Sequence, residues 1–119
     1  MNYAQIIQGF RDLLNDSDSF DSKALQDLPQ LERTLSQFSD EQFDPIADAI
    51  VDWCAAHQPL GENLRTAALR WTPQKANPAD EELIKKNISV IRETVKQKVQ
   101  DQPTPDQQPE NQQPSAQNP

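Results

Sequence analysis

Apolar side chains recur every three or four residues along nearly all of the first hundred positions of this chain, and no segment alternates with period two through β-branched residues. That regularity predicts an all-α protein, because only a helix brings positions i, i+3, i+4 and i+7 onto one face. Tyr3, Ile6, Ile7, Phe10, Leu13 and Leu14 form the first such stripe, which ends in the polar run from Asn15 to Ser19. Asp21 or Ser22 is placed to cap a second piece bearing Ala24, Leu25 and Leu28. Pro29 then either kinks it or opens a continuation with Leu31, Leu35 and Phe38.

Ser39 to Gln42 has the form of a capping box, and Asp44-Pro45 reads as an N-cap followed by a first-turn proline. The next helix is therefore expected over about 45–56, with Ile46, Ala49, Ile50, Trp53, Cys54 and His57 on its inner face. After a break at 57–61, Leu60, Leu64, Ala67, Ala68 and Trp71 mark a fourth helix. A linker at 72–77 precedes the last one. There Asn77 is expected to cap, Pro78 to sit at the first helical position, and Asp80, Glu81 and Glu82 to face the positive end of the dipole. Its stripe of Ile84, Ile88, Ile91, Val95 and Val99 steps by four, three, four and four residues.

The composition changes abruptly at residue 101. Residues 101–119 contain five of the ten prolines, six glutamines and one apolar side chain, Ala116, so they are expected to form a disordered Pro/Gln-rich tail. The remainder holds 40 apolar residues in 100, enough for a small helical bundle of four to five helices as one domain over 1–100. No apolar run exceeds four residues, and no basic stretch followed by a long apolar one opens the chain. A cytoplasmic protein without a membrane span is expected.

Few residues are equipped for chemistry. Two glycines do not make a phosphate-cradling loop. The lone Cys54 and lone His57 do not complete a zinc site, so neither metal nor cofactor is expected. Cys54 and His57 do stand at i, i+3, the spacing of a nucleophile and its base. Asp48 and Asp52 nearby, and a position late in a helix, favour the neutral thiol. A non-catalytic protein is expected.

The formal charge of −8 is unevenly spread: 1–57 hold eleven acidic and three basic residues, 58–100 five acidic and eight basic, and 101–119 three acidic and none basic. This polarity suits a protein partner with a basic surface. In plan, an acidic helical body followed by a Gln/Pro-rich tail, the chain resembles small bacterial assembly factors and dedicated chaperones, such as those serving CO2-fixing compartments. The resemblance implies an accessory, partner-binding role and assigns no residue.

The expected function is thus a protein–protein interaction module, adaptor or assembly factor that meets its partner through Ile84, Ile88, Ile91 and Val95 of the last helix. The same stripe also suits pairing with a second copy. Two alternatives use other residues. A helix-turn-helix regulator would place Arg65 and Arg70 against DNA, although the negative total disfavours nucleic acid. An acidic inhibitor of a nucleic-acid enzyme would present Asp40, Glu41, Asp44, Asp48 and Asp52.

Overall fold

The computed structural model of the chain describes residues 1–101. They form α1 (Tyr3–Leu14), a 3-10 turn (Ser17–Ser19), α2 (Ser22–Ser36), α3 (Phe43–Ala55), α4 (Leu60–Leu69) and α5 (Glu81–Asp101), with no strand among them. The all-α bundle is the fold. The expected tail lies outside the described residues except for Asp101, which closes α5. Among the described residues no helix is long and apolar enough to cross a membrane.

Helix α1 is central and packs against α3, α4 and α5. It starts in a reciprocal capping box, in which Asn2 accepts from the Gln5 N–H and Gln5 accepts from the Asn2 N–H. Ile7 and Phe10 are fully buried, and at Gly9 the helix meets the backbone of α4 directly. Helix α2 is capped by Asp21, whose carboxylate accepts from the Ala24 N–H at 2.8 Å. It runs through Pro29 as one helix. A proline inside a helix costs about 3 kcal/mol, and buried Ala24, Leu28, Leu31 and Leu35 on both sides of Pro29 offset that cost.

Two helix starts differ from the sequence expectation. Helix α3 begins at Phe43, so Asp44 and Pro45 lie inside its first turn, and the Gln42 side chain accepts from the Ser39 N–H at 2.8 Å. Phe43 is buried, and seating it extends the helix backward over the proline, which a first turn tolerates. Helix α5 begins at Glu81. Asn77 instead closes a turn, accepting from the Ala79 N–H at 2.9 Å, while Asp80 accepts from the Leu83 N–H at 3.3 Å. The connecting segment is docked on α1 at several points: Tyr3 donates to the Pro78 carbonyl at 3.2 Å, Gln5 donates to the Trp71 carbonyl and the Trp71 indole donates to Asp12, and Ala76 is buried.

Helix α5 lies across α1 and α2 and closes the core. A polar chain fixes its register. Asn87, only 4% exposed, donates to Gln8 Oε1 at 2.8 Å and accepts from Arg11 at 2.9 Å. Hydrogen bonds between buried polar groups of different helices favour one arrangement, because a slip leaves them unpaired, although the Arg11 Nε itself has no partner among the described residues. Further along, Arg92 donates to the carbonyls of Leu35 and Phe38 at 2.8 and 2.9 Å and to Asp40 at 3.0 Å. One guanidinium thereby satisfies the C-terminal end of α2 and ties down the turn into α3.

Candidate protein-docking groove between the second and third helices

Ile84, Ile88, Ile91 and Val95 are 3, 1, 1 and 1% exposed. This corrects the expectation that they meet a partner, because the protein's own core already covers the stripe. The apolar period located the inner face of the helix without saying what would cover it. Leu83 stays exposed at 39%, a single side chain that does not form a patch.

The other sequence candidates also change meaning. Arg65 is exposed on α4 and Arg70 at its C-cap, but Arg70 shares a hollow of about 330 Å³ with Asp16 and Asp18, whose carboxylates oppose an approaching phosphate. Of the five acids expected on one face, Asp40 pairs with Arg92 at 3.0 Å and Glu41 with Lys85 at 3.5 Å. Asp44, Asp48 and Asp52 are exposed, one turn apart along α3.

Cys54 and His57 do not meet as nucleophile and base. Burial pushes the thiol up to about 12. The His57 ring engages the Trp53 carbonyl through Nδ1 at 2.7 Å and Asp27 through Nε2 at 2.7 Å. The Trp53 carbonyl and an ionised Asp27 both accept, so the geometry suits a ring that carries a proton on each nitrogen. Burial works against the charged ring, yet the hydrogen bonds that His57 donates to Asp27 and to the Trp53 carbonyl, with the charge of Asp27, together outweigh it and raise the His57 pKa. Asp27 is lowered in turn, first by its hydrogen bond to His57 and further by Lys23 at 3.3 Å. The pair bridges α2 to the end of α3.

Beside that bridge the two helices separate. Between them lies an open cavity of about 550 Å³, lined from the α2 side by Gln30, Leu31, Thr34 and Phe38. The α3 wall is Pro45, Asp48, Ala49, Asp52, Trp53 and Ala56. Ala49, expected on the inner face, is half-buried at this groove, and Ala47 takes a core position instead. The bulk of Phe38 and Trp53 beside the small Ala49 and Ala56 leaves the hollow. Asp48 and Asp52 stand on its edge.

Trp53 has a further property. It is 7% exposed, its ring lies 4.3 Å from that of His57, and its indole N–H has no hydrogen-bond partner among the described residues. A buried donor left unpaired costs roughly 1–3 kcal/mol. Trp71 contrasts with it, donating from Nε1 to Asp12 at 2.6 Å beside α1. Sequence reasoning missed the groove because its walls come from two helices whose separation no local pattern encodes. The available signal was the four-residue repeat of Pro45, Ala49 and Trp53 on the edge of the apolar face of α3.

No family model, no curated protein and no solved structure matches the chain.

Proposed function

We propose that this chain is a non-catalytic protein-binding module, an adaptor or assembly factor, whose contact surface is the groove between α2 and α3. One observation carries the reading: an open, largely apolar hollow of about 550 Å³ between α2 and α3, walled by Phe38 and Trp53 beside the small Ala49 and Ala56. Concave apolar surfaces with a few polar groups are where ligands bind, and a helix-lined groove is the form that peptide segments use. Phe38 forms one end of the hollow, and Arg92 holds its carbonyl. Helix α5 thus acts on the contact indirectly, by fixing the groove wall.

Site-specific photo-crosslinking in native lysate tests this. A crosslinking residue at Ala49 or Thr34 is expected to capture a discrete protein, and the same residue at Arg65 on α4 is not. Capture at Arg65 with none at Ala49 or Thr34 contradicts the proposal.

A further inference from the structure

We infer that the occupant of the groove is a cationic amphipathic helix of about three turns, supplied by a partner protein; this rests on the groove being the contact surface. The α3 wall presents Pro45, Ala49 and Trp53, spaced by four residues, and the α2 wall Gln30 and Thr34, also four apart, with Phe38 in the turn just past the end of α2. Both helical walls are therefore ridged at one-turn intervals, the spacing into which the side chains of a third helix interdigitate. From Pro45 to Ala56 the α3 wall rises about 16 Å, the length of roughly eleven helical residues. A peptide added as a β-strand would need a sheet edge, and the described residues contain no strand.

Charge selects the sign of the occupant. Asp48 and Asp52 edge the cavity, and Asp44 continues their line one turn back. Lys or Arg residues three or four apart on a docked helix face this row, while its apolar side fills the hollow over Ala49 and Trp53. The chain's own tail does not suit the place, because residues 101–119 carry three acidic and no basic side chains. A second copy is disfavoured by self-repulsion at a formal charge of −8.

The test is a selection from a displayed library of random 16-residue peptides against the full chain, followed by affinity measurements on the recovered sequences. The inference predicts peptides with Lys or Arg at three- or four-residue spacing alongside apolar residues. Their binding is expected to weaken about three- to tenfold in Asp48→Asn/Asp52→Asn, to weaken with added salt, and to be lost in Ala49→Trp, which fills the groove. Thr34→Trp fills it from the opposite wall and replaces Ala49→Trp if circular dichroism shows the latter to be unfolded.

Recovered peptides that need an open groove but are acidic or neutral, or ignore the aspartate pair, overturn the inference and leave the groove as contact surface. Peptides indifferent to groove filling, or no enrichment at all, overturn both. A chain that sediments alone as a dimer and becomes monomeric on Ala49→Trp overturns the inference in favour of a second copy.

Discussion

Gly9 of α1 lies so close to Ala68 of α4 that a Cβ on Gly9 would stand 2.7 Å from the Ala68 backbone nitrogen and 2.8 Å from its Cα. Backbone cannot swing aside as a side chain can, so the contact requires a residue without a Cβ. Gly61 gives the contrast: a Cβ there would also meet an atom at 2.7 Å, but that atom is the end of the flexible Gln58 side chain.

Gly9→Ala is therefore expected to destabilise the protein by about 1–3 kcal/mol through overpacking. Gly61→Ala, inside α4, is expected to be neutral or to stabilise by up to about 1 kcal/mol through helix propensity. Thermal unfolding followed by circular dichroism separates the two. Equal midpoints for both variants contradict the close crossing of α1 and α4.

Arg92→Met removes three donors at once from Leu35, Phe38 and Asp40. A loss of about 1.5–3 kcal/mol is expected from hydrogen bonds to a charged group. Arg92→Lys restores little, since an ammonium on a flexible stem does not span the three acceptors. Lys85→Ala breaks only an exposed pair with Glu41 and is expected to change stability by less than about 0.5 kcal/mol. Urea titrations of the three variants measure this order.

The His57–Asp27 pair predicts a pH dependence. The His57 pKa is raised above 6.5, so its contribution is complete below that value and is lost as pH rises through the raised one. Asp27 is lowered below 3.8, so its contribution is present above that value and disappears as pH falls through the lowered one. The bridge between α2 and α3 is thus strongest between 3.8 and 6.5. Unfolding free energies taken from about pH 6 to pH 8 are expected to fall in the parent by more than in His57→Gln. Parallel curves contradict the bridge.

Ile88→Asp combined with Val95→Asp places two carboxylates at positions 1% exposed. Unpaired buried charges of this kind cost several kcal/mol each. The double variant is expected to lose its cooperative unfolding transition, where a surface stripe would have allowed the fold to survive. A folded variant with an unchanged transition would return α5 to the surface.

The sequence was most legible where one helix face decides everything. Most residues of the stripes of α1, α4 and α5 are buried, with Tyr3, Ile6, Trp71 and Val99 half-buried against the core, because periodicity reports burial. Helix starts were less legible. Asn77-Pro78 and Asp80 each carry start chemistry, and the choice between them depended on the turn that docks Ala76. Least legible was the groove. The Arg92 bond to Phe38 spans 54 residues and the His57 bond to Asp27 spans 30, so the placement of its walls comes from contacts absent from any local window.

The docking groove between α2 and α3 has a built-in reporter in the two indole side chains. Trp53 lines the groove and its N–H is unpartnered among the described residues, whereas that of Trp71 is bonded to Asp12 of α1. A nitrogen–proton correlation spectrum of the full chain, titrated with the best cationic peptide from the selection, resolves them separately. The Trp53 indole and the amides of Thr34 and Ala49 are expected to shift while the Trp71 indole stays in place; a shift at Trp71 with Trp53 unmoved contradicts the account.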